Sequence, residues 1–219
     1  RDSITLANLG GDFGVIGNDE VESISAGRSY GAELLIQQKL FKGFFGILAY
    51  TFVRSEFQDR KNDYVPSSWD SQHLLTLTFG KKFKYNYELG IRWRFLGGTP
   101  YTPYDVGLSA QTRVWDINQR ALVDYTRLNE ERLGSSHILD LRIDKKWYFK
   151  KWALNLYLDI QNAYNFQSGT AGYYDTEKDD SGNPIIDPDS DPNNPSYLLK
   201  FIDNPSGTVI PSFGIVIEI

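Results

Sequence analysis

From Tyr87 to Leu96 the chain alternates without a fault. Tyr87, Leu89, Ile91, Trp93 and Phe95 fall on one parity, and Glu88, Gly90, Arg92 and Arg94 on the other. The same split recurs three times. Leu139, Leu141 and Ile143 oppose Asp140, Arg142, Asp144 and Lys146. Trp152, Leu154, Leu156, Leu158 and Ile160 oppose Asn155, Tyr157, Asp159 and Gln161. Phe213, Ile215, Ile217 and Ile219 oppose Ser212, Gly214 and Glu218. Alternation of this length predicts β-strands with one apolar and one polar face, because successive side chains of a strand leave opposite sides of the sheet.

Two further segments fit with flaws. In Arg28 to Leu40 the residues Tyr30, Ala32, Leu34, Ile36 and Leu40 share a face, but Gln38 intrudes and Leu35 sits opposite. In Ser71 to Phe83 the residues His73, Leu75, Leu77, Phe79 and Phe83 align, with Lys81 near the end. The segment from Phe44 to Glu56 is apolar on both parities in its middle, so it is expected to be a strand whose faces its own residues leave unassigned.

Between these seven strands the connections alternate in length. Phe41 to Gly43, Lys84 to Asn86 and Tyr148 to Lys151 are short, whereas Phe57 to Asp70, Gly97 to Ser136 and Ala163 to about Thr208 are long and polar. Short turns at one end and long loops at the other are the asymmetry of outer-membrane barrels, with the turns on the periplasmic side. Phe41, Phe44, Phe83, Tyr85, Tyr87, Trp147, Tyr148, Phe149 and Trp152 crowd beside the short turns, where an interfacial aromatic girdle belongs. The expected class is therefore all-β, an antiparallel transmembrane β-barrel. A soluble sandwich is the weaker alternative, because the polar faces carry charges of both signs on nearly every strand.

Other classes fall on composition. The longest apolar stretch, Gly43 to Val53, is about half of the ~20 residues a membrane helix needs. Mean hydropathy is −0.41, a value that strands hiding their apolarity in every second residue also produce. With no cysteine, disulfide scaffolds and thiolate metal sites are excluded, and a net charge of −5 argues against an electrostatic nucleic-acid binder. Residue 1 is Arg, the chain has no methionine, and no basic-then-apolar signal segment opens it. Seven strands cannot close as an even-numbered barrel, and an open edge in lipid is prohibitively costly. The expectation is a C-terminal piece of a larger barrel.

A resemblance adds to this. Gly27-Arg28-Ser29-Tyr30-Gly31-Ala32-Glu33, Ala49-Tyr50-Thr51-Phe52-Val53-Arg54-Ser55, Pro66-Ser67-Ser68-Trp69-Asp70-Ser71-Gln72-His73, Leu96-Gly97-Gly98-Thr99-Pro100-Tyr101 and Asp159-Ile160-Gln161-Asn162-Ala163-Tyr164-Asn165 resemble the late barrel strands of TonB-dependent outer-membrane transporters. The ending Pro211-Ser212-Phe213-Gly214-Ile215 is similar to the terminal strand of the Bacteroidetes-like branch. The resemblance runs from about Gly27 to Ile219. It implies a 22-stranded barrel of which residues 27–219 hold about the last seven strands, with residues 1–26 ending the preceding extracellular loop. It also implies an N-terminal plug and coupling to the TonB complex, neither of which these residues carry. The last residue departs from the pattern: such proteins usually end in Phe or Trp, and here Ile219 stands there.

Candidate chemistry is sparse. Ser67, Ser68, Asp70 and His73 lie close in sequence, but no elbow motif supports a nucleophilic triad, and catalysis is not expected. Glu177, Asp179, Ser181 and Gly182 loosely imitate the start of a calcium loop, yet Pro188 stands where the bidentate Glu belongs, so a solvated acidic loop is the stronger reading and no metal or cofactor is expected. Arg92, Arg94, Asp140, Arg142, Asp144, Lys146 and Asp159 are expected to face a lumen, gripping a plug or lining a wet wall. Trp69, Tyr101, Tyr104, Trp115, Tyr173 and Tyr174 are candidates to stack on a ligand at the mouth, or to pack the loops against one another.

The expected function is a barrel segment of an active transporter in the bacterial outer membrane, importing a scarce nutrient such as a siderophore, glycan, peptide or cobalamin. Expected partners are the remaining barrel and plug, the TonB complex, membrane lipid, and a surface lipoprotein or the barrel-assembly machinery, with no nucleic acid. The rivals are a soluble β-rich glycan-binding module and a passive porin-like barrel.

Overall fold

The computed structural model describes residues 25–59 and 61–219. Residues 1–24, most of the segment expected to end a preceding loop, lie outside the described residues. All seven expected strands form: β1 (Gly27–Phe41), β2 (Phe44–Gln58), β4 (Gln72–Lys82), β5 (Tyr87–Leu96), β8 (Ser136–Tyr148), β9 (Ala153–Gln161) and β12 (Ile210–Glu218). They pair antiparallel in the order β1-β2-β4-β5-β8-β9-β12, and the three-residue β3 (Tyr64–Pro66) beside β2 completes an eight-stranded sheet. The sheet is open, with β1 and β12 at its edges.

The register assigns the faces. Leu34 pairs with Tyr50, Ile36 with Leu48, Leu48 with Leu77, and Leu77 with Trp93. The even residues of β2 therefore join the apolar face, an assignment β2 cannot make alone because Ile47 and Val53 occupy its other parity. The face continues through Trp93 to Leu139, Ile143 to Leu158, and Leu158 to Phe213. Gln38 keeps its place on this face, opposite Gly46 and in the row of Phe79, and the register shifts only after it, between Gln38 and Phe41, where the two strands lose step before the turn.

None of this face is buried. Leu34, Leu77, Ile143 and Phe213 are 51%, 41%, 45% and 67% exposed. Apart from Pro100, the buried apolar side chains among the described residues are Trp115, Ala121 and Ala153. The sheet thus carries an apolar surface far wider than the few hundred Å² that water-exposed proteins display.

That surface crosses the strands obliquely. The middle of the apolar run falls at Ile215 on β12 and at Leu156 on β9, which pair with each other. On β5 it falls at Ile91, two paired rows nearer the loops, and on β1 at Leu34, two rows beyond that. Four rows are eight residues, ~26 Å along a strand, against ~29 Å for six strand-to-strand steps. The strands are therefore inclined at roughly 40° to the normal of the apolar band, the tilt that closed barrels require.

The short connections are tight. Lys42 and Gly43 both take positive φ, 50° and 83°, the conformation of a two-residue hairpin turn that matches strand twist. Tyr85 and Asn86 do the same in the second turn, at 61° and 59°. The long connections are more ordered than a structureless reading expects. Residues 97–135 hold the two-stranded pairing of β6 (Pro100–Tyr101) with β7 (Glu131–Arg132) and two short helices, α1 (Val106–Ala110) and α2 (Thr112–Asn118). Residues 162–209 hold β10 (Tyr173–Thr176) paired with β11 (Leu199–Ile202).

Candidate functional site

Two regions concentrate interacting polar and aromatic side chains: the polar face of the sheet and the cap that the long loops build above it. On the polar face Arg92 pairs in register with Asp140, and Arg142 with Asp159. Asp140 is the hub. Its carboxylate accepts from Arg92 Nε at 2.9 Å, from Arg94 Nη2 at 3.0 Å and from the backbone N–H of Asn162 at 3.0 Å, and the residue is 4% exposed. Charged and backbone donors thus replace the water that this buried carboxylate gives up. Asn162 in turn sits at φ 52°, and its side chain holds Phe166 N–H and the carbonyls of Phe166 and Thr208, tying the strand face to the following loop.

Nearer the short turns Arg142 grips Asp144 through two bonds of 2.8 and 2.9 Å, and Asn155 donates to the same carboxylate at 2.8 Å. The Arg142 guanidinium lies 3.9 Å from the centre of the Tyr157 ring. The phenol end of that ring covers Gly214, where any Cβ would stand 2.1 Å from it. Lys146 reaches Glu218 at 2.6 Å, and a cleft of about 390 Å³ opens among Lys82, Glu88, Arg142, Asp144, Lys146 and Asn155. The structure therefore gathers all the charged residues expected on one face. Asp159 lies among them, between Arg142 and Ser212 in register.

The cap is held by clasps between loops distant in sequence. Asp70, fully buried, accepts from Ser55 N–H at 2.7 Å and Arg54 Nε at 3.2 Å and pairs with Arg132, whose other nitrogen donates to the Gly98 carbonyl at 2.9 Å. Asn129 Nδ2 donates to the Pro66 carbonyl at 2.7 Å. Thr112 N–H and Tyr197 N–H bond the Pro195 and Ala110 carbonyls, and Tyr197 Oη donates to Asp116 at 3.1 Å. Burial, then this bond, raises the Tyr197 phenol above its ordinary pKa. Sequence reasoning passed over Arg54, Arg132 and Asn129, because their partners lie far away in the chain.

The residues that suggest a hydrolase do not form one constellation. Ser67 Oγ donates to Ser55 Oγ at 3.0 Å, and Asp70 is occupied by its arginines. His73 Nδ1 lies 2.9 Å from Tyr50 Oη on the apolar face. In the acidic loop, Asp179 Oδ1 accepts the backbone N–H groups of Asn183 and Ser181 at 2.8 and 2.9 Å. The Asn183 N–H foremost, then its side-chain amide and the N–H groups of Ser181 and Gly182, hold the Asp179 carboxyl below the usual range. Among the described residues no three His, Asp or Glu side chains group as metal ligands.

Of the six loop aromatics, Tyr101, Tyr104 and Tyr174 come together along one cleft of about 300 Å³. Tyr104 meets Tyr174 edge-on at 5.8 Å, and Tyr174 meets Phe201 at 5.2 Å. Arg127 supplies a cation at the cleft, held by Glu130 at 2.8 Å and Glu131 at 2.8 Å. Trp115, on α2, is instead buried, and Trp69 and Tyr173 stand exposed outside the cleft. Phe201 joins them at the cleft, and its one local signal is the apolar run Leu199-Lys200-Phe201-Ile202 in an otherwise polar region.

No family model matches this chain, and a search of curated proteins finds no relative for it.

Proposed function

We propose that these residues form part of the wall of a transmembrane β-barrel in a bacterial outer membrane, with hydrocarbon covering the apolar face and the charged face turned to the lumen. The observation that carries this reading is the exposed apolar band running obliquely across seven strands. A second protein sheet would cover a patch aligned with its own strands. A lipid slab instead cuts tilted strands at one height, and that height advances along the register by the amount seen here. Both margins of the band are aromatic. Tyr30, Phe52 and Phe95 border the loops, and Phe44, Tyr87, Trp147 and Trp152 border the turns.

Within that reading, a TonB-dependent transporter is the function best supported. The late-strand resemblance supports it, as does a polar face dense in paired charge that suits a plug. The Tyr101–Tyr104–Tyr174 cleft offers flat faces on which a sugar or aromatic ring would stack at the mouth. Single cysteines at Leu89, Trp93, Leu141, Leu156 and Ile217, against Arg92, Arg142 and Asp159, test the wall with a membrane-impermeant thiol reagent. Labelling confined to the second set is expected, and equal labelling of both refutes it. A protein soluble without detergent would favour the glycan-binding module. A full-length chain lacking a plug would favour the porin.

A further inference from the structure

The short-turn rim carries a charge pattern that neither the wall nor transport requires. Nine of the twelve lysines stand at the three short turns: two at the first, three at the second and four at the third. Two of them are neutralised on the polar face, Lys82 by Glu88 at 3.6 Å and Lys146 by Glu218 at 2.6 Å. The other seven have no carboxylate partner among the described residues, although most arginines of the chain do. The loop side is the reverse, rich in Asp and Glu, so net acidity at that end hides a cationic rim at this one.

Two of these lysines sit on the apolar face itself. Lys81 pairs in register with Phe44 and Leu89, and Lys145 with Tyr87 and Leu156. Each lies about three residues toward the turns from where the inclination of roughly 40° puts the middle of the band on its strand, ~7 Å along the band normal. Lys81 Nζ is 3.9 Å from the Phe44 ring centre, and Lys145 Nζ is 4.3 Å from that of Tyr87 and donates to the Tyr85 carbonyl. Both stems lie along apolar surface while the ammonium groups stay at its margin among aromatic faces. The three turns join neighbouring strand pairs, so they stand in a row ~10 Å apart. The rim offers a line of unneutralised ammonium groups directly above hydrocarbon-facing residues.

Resting on the barrel reading, we propose that this rim binds the anionic headgroups of phospholipids in the periplasmic leaflet, their phosphates meeting the turn lysines and their acyl chains lying against Leu89, Leu156 and Trp147. A headgroup is the one anion that arrives already positioned at the edge of the apolar band, and each lysine near such a surface contributes about a fivefold gain in affinity. The full-length protein, purified in non-ionic detergent, is titrated with dioleoylphosphatidylglycerol or dioleoylphosphatidylcholine and bound lipid is counted by native mass spectrometry. The wild type is expected to prefer the glycerol lipid. The triple variant Lys42→Gln/Lys84→Gln/Lys150→Gln, one change per turn, is expected to lose that preference roughly a hundredfold. Should the variant fail to fold, the wild type decides by itself, since strong salt must abolish the preference. Equal affinity for both lipids, an unaltered preference in the variant, or displacement of lipid by polyglutamate overturns the proposal. Heat-modifiable mobility of the same samples separates the two readings. Folded barrel without lipid preference defeats the rim alone, and loss of heat-modifiability in the wild type defeats the barrel and the rim with it.

Discussion

A single arginine placed at different heights on β5 tests the wall most directly. Ile91 lies at the middle of the apolar run on that strand, with Phe79 and Leu141 as its register partners on either side. Arginine there has no carboxylate within reach on its own face and would stand near the bilayer midplane. The cost expected of Ile91→Arg is about 2–4 kcal/mol. Phe95 is four residues nearer the loops, ~13 Å along the strand and ~10 Å along the band normal. Its arginine can reach headgroups, and Phe95→Arg should cost about 0–1 kcal/mol. Thr51→Arg changes the opposite face beside Glu33 and should be close to neutral. The assay is reversible urea unfolding of the full-length protein in lipid vesicles, followed by heat-modifiable mobility. The cost should fall from Ile91 to Phe95 by roughly 2 kcal/mol, about a thirtyfold difference in the folded ratio. Equal costs at Ile91 and Phe95 would show that no slab of finite thickness covers this face, and equal costs at Ile91 and Thr51 would show that the faces are reversed or both wet.

Three further expectations concern the polar face and the cap. Asp140→Ala strands Arg92, Arg94 and the Asn162 N–H, and because both arginine side chains remain nearly half exposed, the loss should be about 1–3 kcal/mol in the same unfolding assay. Gly172→Ala would bring a methyl to 2.6 Å from the Ile202 carbonyl and 2.3 Å from the Phe201 ring, so the β10–β11 hairpin must shift and amide exchange over residues 173–202 should accelerate. Because the folded acidic loop holds the Asp179 carboxyl below its ordinary value of 3.8, the contribution of this turn is complete above that value and is lost as pH falls through the lower folded one. Exchange at Ser181 and Asn183 should rise over that acidic window in the wild type, and Asp179→Asn should remove the pH dependence.

The faces of β5, β8, β9 and β12 were legible because one parity of each is wholly apolar in its middle, and a period of two leaves no other sheet face for it. β2 was not legible alone, since Ile47 and Val53 are as apolar as Leu48 and Phe52; only its pairing with β1 and β4 decides. The cap was legible least. α1 and α2 span five and seven residues, too short for a helical period to show. Their placement depends on clasps such as Arg132 to Asp70, which are 62 residues apart and leave no local pattern. The same limit divided the aromatics. Tyr101, Tyr104 and Tyr174 line one cleft because β6 and β10 bring them together, whereas Trp115 is buried on α2, which the Thr112 N–H bond to the Pro195 carbonyl ties to a segment far along the chain.

If these strands form the proposed barrel wall, their open edges say how it would have to be completed. β1 runs from the loop side to the turn side, each later strand reverses, and the seventh, β12, again runs from loops to turns. The two edges are therefore parallel to each other. Joining β12 directly to β1 would insert one parallel pair into an otherwise antiparallel ladder, in a ring of seven narrower than the eight strands with which known barrels begin. Leaving the edges free is worse. Every second residue of β1 and β12 would present an N–H and a carbonyl to hydrocarbon, at several kcal/mol for each group. Antiparallel closure instead requires an odd number of further strands between β12 and β1. A sheet inclined at roughly 40° also needs those strands to continue the same advance of about eight residues per six steps, or the apolar band would not meet itself at one height. In the proposed barrel, the partner wall would thus be constrained in strand parity, inclination and band position by these seven strands, which is more than the alternation of any one strand contains.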